Sequence, residues 1–245
     1  MDLLCEWLTG GRDYQQTYFS PLSAINRDNI DELGYAWSYD IDFTVAFSAT
    51  PIVVDGVMFS TGNGGVVYAL DARTGARRWV FTPPIEHEVR SMSGLTTRGI
   101  AVWRGRVYVG SIDGFLYALD ASTSEVQWRV DTIIDRTRGY AVSGAPYIAG
   151  DLVVIGNAGA EFSARGYITA YHAQNGEMAW RFFTVPASAD GPFEHPFCHA
   201  YWRLTPAPVG SFGTIKQRPE TIGTTPRHRS SFSQIWRLGA ALAKS

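Results

Sequence analysis

The stretch VYALDARTGARRW at residues 67–79 decides the fold, because two similar stretches follow it along the chain. The second copy is LYALDASTSEVQW at 116–128, and the third is ITAYHAQNGEMAW at 168–180. The closing tryptophans are 49 and 52 residues apart, a spacing typical of tandem structural repeats. Trp37 indicates an incomplete copy before the first one.

Each copy has the pattern of antiparallel strands joined by tight turns. Apolar and polar residues alternate over 57–61 and again over 66–70, as expected of half-buried strands. The residues from Asp71 to Gly75 predict a turn, since Asp bonds its own backbone and Gly accepts a positive φ. A tandem repeat of such four-stranded units is typical of an all-β protein, a β-propeller. A solenoid of short strands is the alternative.

The tryptophan that closes each copy is expected to fill the gap between neighbouring sheets, where an aromatic side chain buries about 150–250 Å². The copies occupy residues 29–186, enough for three blades plus a fragment. A closed propeller has about four to eight blades. The sequence therefore predicts part of a propeller, about three to four blades.

Composition argues against several classes of protein and site. No run of about 18 apolar residues is present, so no membrane span is predicted, and no signal peptide is visible at the start. Cys5 and Cys198 lie 193 positions apart, against a disulfide framework or a cysteine zinc site. The few basic residues at 226–231 would bind phosphates weakly, so no nucleic-acid partner is expected.

The pattern A-x-D-x-x-T-G-x-x-x-W, complete at residues 69–79, resembles the tryptophan-docking motif of the alcohol dehydrogenases that depend on pyrroloquinoline quinone (PQQ). This quinoprotein family includes the methanol and ethanol dehydrogenases. Further stretches resemble the same family in the same order: 12–26, 49–56, 97–103, 143–146 and 159–167. The resemblance runs from about residue 7 to 196 and covers only the N-terminal portion of the family's sequence.

The resemblance implies an eight-bladed propeller in the periplasm that oxidises a primary or secondary alcohol. PQQ would lie near the central axis beside Ca²⁺ and take up two electrons, while the protein holds and tunes it. The electrons would pass to an acceptor such as a cytochrome c or a quinone.

The family's calcium ligand and its backbone contacts to PQQ both correspond to one stretch of this sequence, residues 158–161. Glu161 matches the family's calcium-ligating glutamate, and a carboxylate suits a cation that takes 6–8 oxygen ligands. Ala158, Gly159 and Ala160 would approach PQQ by their backbone, where small residues permit close contact. Without the resemblance, Glu161 would be interpreted as a solvated loop acid.

Two further residues match cofactor contacts of the family. Arg98 matches an arginine that hydrogen-bonds PQQ, whose carboxylates and quinone oxygens suit a guanidinium donor. Ser143 stands where the family usually has a threonine, so a hydroxyl is retained. Taken alone, Arg98 would be a surface arginine and Ser143 a turn serine.

Other positions depart from the family. Ser48 replaces a cofactor-contacting glutamate, and Met92-Ser93 replaces an adjacent cysteine pair whose disulfide stacks on PQQ. The catalytic aspartate, the asparagine ligand of calcium and the tryptophan under PQQ belong to later blades, and nothing after His195 resembles them. No catalytic residue is therefore predicted, and the chain is expected to be inactive alone.

The charge of the chain changes abruptly near residue 196. Residues 1–196 hold 14 basic and 22 acidic residues, whereas 197–245 hold seven basic residues and one acid, Glu220. We divide the chain into an N-terminal approach segment (1–28), partial propeller blades (29–196) and a basic tail (197–245). A shifted reading frame would explain the tail, and a genuine basic tail is the alternative.

Two other functions are compatible with the blade repeat. One is a non-enzymatic propeller scaffold resembling the outer-membrane assembly lipoproteins, which share the repeat without the surroundings of Arg98 and Glu161. The other is a partly folded fragment without a function of its own, whose open sheet faces would favour aggregation.

Overall fold

The computed structural model describes residues 6–41, 47–89, 96–185 and 187, and these form three antiparallel four-stranded sheets. The first sheet consists of β1 (Ile52–Val54), β2 (Val57–Thr61), β3 (Val67–Asp71) and β4 (Arg77–Phe81). The second consists of β5 (Ala101–Trp103), β6 (Arg106–Gly110), β7 (Phe115–Asp120) and β8 (Val126–Asp131). The third consists of β9 (Tyr147–Ala149), β10 (Leu152–Gly156), β11 (Tyr167–His172) and β12 (Met178–Phe183).

The repeated motif has the same register in every sheet. The closing tryptophan lies opposite an alanine of the preceding strand in the pairs Ala69 and Trp79, Ala118 and Trp128, and Ala170 and Trp180. An irregularity in the pairing follows each of these alanines. Since directly opposed side chains share a face of the sheet, the small alanine leaves space beside the large indole.

Each closing tryptophan that is followed by another sheet packs against that sheet. The indole nitrogen donates to a carbonyl oxygen in the turn after the third strand, in the pairs Trp37 to Ala72 at 3.2 Å, Trp79 to Ala121 at 3.0 Å and Trp128 to Ala173 at 3.1 Å. The last tryptophan, Trp180, is 44% exposed and has no acceptor among the residues described. The predicted filling of gaps between sheets therefore holds for the first three tryptophans.

The turns that receive the indoles are built by their aspartates. One carboxylate oxygen of Asp71 accepts the backbone N–H groups of Arg73 and Thr74, and Asp120 accepts those of Ser122 and Thr123. Hydrogen bonds from the Arg78 and Thr74 side chains lower the pKa of Asp71 to about 2. Hydrogen bonds from Ser122 and Thr123 lower the pKa of Asp120 to about 2 as well. The predicted Asp-x-x-Thr-Gly turn is thus present in the first two sheets, with Ser124 replacing the glycine in the second.

The three sheets pack face to face, and the first strands lie together at one edge. One apolar cluster joins the first and second sheets and includes Phe59, Val109 and Tyr117. Another joins the second and third sheets and includes Tyr108 and Val153. β1 lies next to β5 and β5 next to β9, so we call this side the inner edge. The arrangement confirms three blades of a β-propeller.

The N-terminal segment pairs with the inner edge. The backbones of Trp7 and Val53 exchange two hydrogen bonds of 3.0 and 2.9 Å, which extends the first sheet beyond β1. A short 3₁₀ turn at Ile30–Glu32 precedes Trp37. Within the described part of the chain, no helix is long and apolar enough to cross a bilayer.

Candidate functional site

The predicted cofactor-binding residues lie at one end of the sheets. Because neighbouring strands are antiparallel, the starts of β5 and β9 lie at the same end as the finish of β10. Arg98 and Ser143 precede β5 and β9, and residues 158–161 follow β10. We call this the site end. The turns that receive the tryptophans lie at the opposite end.

Arg98 and Ser143 contact each other directly. The Arg98 Nη1 donates to Ser143 Oγ at 2.7 Å and to the Ser143 carbonyl at 3.4 Å, and the Arg98 backbone N–H donates to the same carbonyl at 3.0 Å. Ser143 is only 4% exposed, whereas Arg98 is exposed. Two residues that are 45 positions apart in the chain therefore form one preformed group.

A second backbone connection joins Ser143 to the Glu161 loop. Two residues before Ser143, Ala141 pairs with Ala158, through N–H to carbonyl distances of 2.8 and 3.3 Å. Between them, the Val142 N–H donates to the Ile112 carbonyl at 3.4 Å. The segment 141–143 therefore connects Arg98, which bonds to Ser143, with the loop at residues 158–161, which pairs with Ala141.

The loop that carries Glu161 begins with a left-handed glycine. Gly159 has φ 108° and ψ 15°, and a 3₁₀ turn over Ala160–Phe162 follows it. A Cβ on Gly159 would come within 2.0 Å of the Gly139 carbonyl oxygen, far inside van der Waals contact. Close packing on the Gly139 backbone is therefore a reason for glycine at position 159, and the predicted approach of its backbone to PQQ stays a prediction.

Glu161 is exposed at the tip of this loop. Its carboxylate has no hydrogen-bond or ion-pair partner within residues 6–41, 47–89 and 96–185. Among those residues no three His, Cys, Asp or Glu side chains come together as a metal site. Since Ca²⁺ takes 6–8 oxygen ligands, Glu161 can supply only part of a calcium site.

The remaining predicted positions divide into two groups. Ser48 is exposed and described, whereas Met92-Ser93, His195 and both cysteines lie outside the described residues. His87, which lies after β4, stacks on Phe115 with ring centroids 5.8 Å apart.

Sequence reasoning missed two residues that hold the Glu161 loop from outside. The Tyr140 phenol oxygen accepts the Arg165 backbone N–H at 2.9 Å, and the Arg138 Nη1 donates to the Ser163 carbonyl at 3.2 Å. Neither contact has a local pattern, because each joins positions 25 apart in the chain. No motif in the sequence could have predicted them.

A family model described as "Glucose/ethanol/alcohol dehydrogenase, beta-propeller domain" matches residues 7–205. The chain belongs to this PQQ-dependent dehydrogenase family. The expected resemblance is thereby confirmed. The match ends near the predicted boundary at residue 196, although the division of the chain into three parts stays a prediction.

Among curated relatives of this PQQ family, the chain is similar to quinohemoprotein alcohol dehydrogenase ADH-IIG of Pseudomonas putida. It is 48% identical over 190 residues, which cover 77% of the chain and 26% of that protein. It is also 44% identical to the quinohemoprotein alcohol dehydrogenase of Comamonas testosteroni over 77% of the chain and 27% of that protein. The chain thus spans about a quarter of the length of these relatives.

Solved structures of PQQ-family enzymes share the fold. The quinohemoprotein alcohol dehydrogenase structure from C. testosteroni superposes with a TM-score of 0.75 at 42% identity, over 82% of this chain and 30% of that one. The ADHIIG structure from P. putida gives 0.74 at 48% identity, over 77% and 28%. The predicted quinoprotein β-propeller is confirmed, and the solenoid alternative is wrong.

Proposed function

We propose that this chain forms the PQQ-binding part of a periplasmic alcohol dehydrogenase that oxidises primary or secondary alcohols. Relatives carry names such as quinohemoprotein alcohol dehydrogenase, alcohol dehydrogenase (quinone) and 1-butanol dehydrogenase (cytochrome c). These names support an alcohol as substrate and a cytochrome c or a quinone as electron acceptor. Because the chain spans about a quarter of such proteins, the complete activity is proposed for the longer enzyme.

The single observation that carries the proposal is the preformed pair of Arg98 and Ser143. PQQ bears carboxylates and quinone oxygens, and a guanidinium is a strong planar donor to such groups. The Arg98 Nη1 is bound to Ser143, so Nε and Nη2 remain without an acceptor among the described residues. Since Ser143 Oγ accepts from Arg98, its own proton is available to a ligand.

The second half of the proposed site is the backbone at residues 158–160 with the carboxylate of Glu161. The pairing of Ala158 with Ala141 fixes the start of this loop relative to Ser143. The exposed Glu161 would then be a calcium ligand beside the cofactor. This fits the oxygen chemistry of Ca²⁺, with the other ligands supplied from outside the described residues.

When bound, PQQ supplies a two-electron acceptor for alcohol oxidation. The described residues contribute binding and orientation: Arg98 and Ser143 hold anionic or carbonyl oxygens, and Glu161 provides negative charge for a cation. The described residues hold no group that we assign as a proton acceptor for the alcohol. We therefore propose that the chain by itself does not turn over alcohol.

Calorimetric titration of the full chain with PQQ in excess CaCl₂ tests the binding. Arg98→Ala should weaken PQQ binding at least tenfold, since a charge-assisted hydrogen bond contributes about 1.5–3 kcal/mol. Arg104→Ala is the matched control, because Arg104 is an exposed arginine at the opposite end of the sheets, paired with Asp151 at 2.9 Å. Glu161→Gln should lower the calcium dependence of binding.

Three results would contradict the proposal. Equal affinities of the Arg98→Ala and Arg104→Ala variants would remove Arg98 from the site. Absence of any PQQ binding by the unmodified chain would favour the non-enzymatic scaffold. Robust dye reduction with ethanol by the chain alone would refute the proposed inactivity.

A further inference from the structure

The loop between β10 and β11 is fixed first at its base. Asn157 Oδ1 accepts the Tyr167 backbone N–H at 2.7 Å, and Asn157 Nδ2 donates to the Ala158 carbonyl at 3.2 Å. Inside the loop, the N–H groups of Phe162 and Ala164 both donate to the Gly159 carbonyl. These bonds close the loop but do not orient it relative to the rest of the site end.

Orientation comes from the segment at residues 138–141, which lies against the loop along its whole length. Ala141 pairs with Ala158 near the beginning of the loop. Near its end, the Tyr140 phenol oxygen accepts the Arg165 backbone N–H at 2.9 Å. The side chain of Tyr140 is inside the protein, at 7% residue exposure, and its ring lies 5.6 Å from that of Tyr167.

We propose that Tyr140 is a positioning residue for Glu161, an inference that rests on the proposed function. Its hydroxyl fixes Arg165, four residues after Glu161, while the backbone of the neighbouring Ala141 fixes Ala158, three residues before it. The loop is therefore held on both sides of its exposed carboxylate by adjacent residues of one segment.

The same segment continues directly to Ser143, whose carbonyl and hydroxyl bind Arg98. One short stretch, 140–143, thus sets the position of the Glu161 loop relative to the Arg98 guanidinium. A cofactor that contacts both groups requires them at a fixed separation. Groups that orient metal ligands from behind typically change metal affinity about 10–100-fold when removed.

The test compares Tyr140→Phe with Tyr171→Phe in the full chain. Tyr171 is a matched control because it is a buried tyrosine of β11, the strand that follows the Glu161 loop, and is 3% exposed. Its hydroxyl accepts from Arg181 at 3.3 Å, and it does not touch the Glu161 loop. Each change removes one buried hydroxyl and keeps the ring. Two readouts are used: PQQ affinity in excess CaCl₂ by calorimetry, and amide hydrogen exchange of residues 158–165.

We expect Tyr140→Phe to weaken PQQ binding about tenfold and to speed exchange over 158–165, with Tyr171→Phe within twofold of the unmodified chain in both. Arg138→Ala removes the surface bond to the Ser163 carbonyl together with the ion pair to Asp135, and exchange over 158–165 should rise less than in Tyr140→Phe. If Tyr140 positions the loop, Tyr140→Phe should speed hydrogen exchange more in residues 158–165 than in the strands of the third sheet.

Two outcomes overturn the inference. One is a Tyr140→Phe variant that binds PQQ as tightly as the unmodified chain. The other is an equal loss in both tyrosine variants, which would assign the effect to general destabilisation. If the unmodified chain binds no PQQ, the proposed function fails, and exchange alone decides on positioning: faster exchange confined to Tyr140→Phe supports it, and unchanged exchange refutes it.

Discussion

The docking of tryptophans between sheets leads to a prediction about two outwardly equivalent residues, Trp79 and Trp128. Both donate an indole hydrogen bond to an alanine carbonyl of the next sheet, to Ala121 at 3.0 Å and to Ala173 at 3.1 Å. The two acceptor carbonyl oxygens differ in how many other hydrogen bonds they accept. The Ala173 oxygen also accepts from Tyr108 Oη at 3.1 Å and from an arginine Nη1 at 3.3 Å.

Replacement of each tryptophan by phenylalanine keeps most of the aromatic packing and removes the donor. In Trp79→Phe, the Ala121 oxygen loses its indole partner, a loss of about 1–3 kcal/mol when an acceptor is left unpaired. Ala121 is only half-buried, so the lower part of that range applies. In Trp128→Phe, the Ala173 oxygen keeps two donors, and only the net value of one bond is lost, about 0.5–1 kcal/mol.

We therefore expect Trp79→Phe to lower the free energy of unfolding by about 0.5 kcal/mol more than Trp128→Phe, in urea titrations followed by far-ultraviolet circular dichroism. Trp180→Phe serves as the baseline, because Trp180 is exposed and has no acceptor among the described residues. An equal or larger cost for Trp128→Phe than for Trp79→Phe would refute the reasoning about shared acceptors.

Two further perturbations test local features of the fold. Gly159→Ala should destabilise the chain by about 2 kcal/mol more than Gly105→Ala in urea titrations. Both glycines have positive φ, but only at Gly159 would the added Cβ collide with a backbone carbonyl, that of Gly139. Equal losses of stability in the two variants would contradict this reasoning. The pKa values of Asp71 and Asp120, about 2 in the folded chain, lie below the ordinary 3.8. Their ionised forms therefore stabilise the fold above pH 4, and this stabilisation is lost as the pH falls towards 2. The stability advantage over Asp71→Asn and Asp120→Asn should shrink across that window, and a constant difference would contradict the assignment.

The sheets could be predicted from the sequence because their information is local and repeated. The Asp-x-x-Thr-Gly turn determines its own geometry through bonds from Asp71 to residues two and three positions later. The alternation on either side then places the strands. The exposure of Trp180 could not be predicted in this way, because it depends on what packs beside the third sheet rather than on the motif itself.

The residues of the candidate site could be named from the sequence, and they stay predictions, whereas the contacts that hold them together could not be predicted. Arg98, Ser143 and Glu161 were identified by resemblance, and the direct bond between Arg98 and Ser143 supports the first two as a group. The role of Tyr140 depends on a bond to a backbone N–H 25 residues away. Since any residue except proline offers such an N–H, no residue type at position 165 could signal the contact.

The docking bonds also give the stack of sheets a direction. The first sheet already has its acceptor, Ala72, occupied by Trp37 of the same chain. At the other end, Trp180 lies with Ile168 and Phe182 on the outer side of the third sheet, and its indole N–H has no acceptor among the described residues. A second copy could not add head to tail through these contacts without displacing Trp37. Within the described part of the chain, the docking bonds therefore occupy the first sheet and leave the third without a docking partner, and identical copies cannot join into an open-ended chain through these contacts.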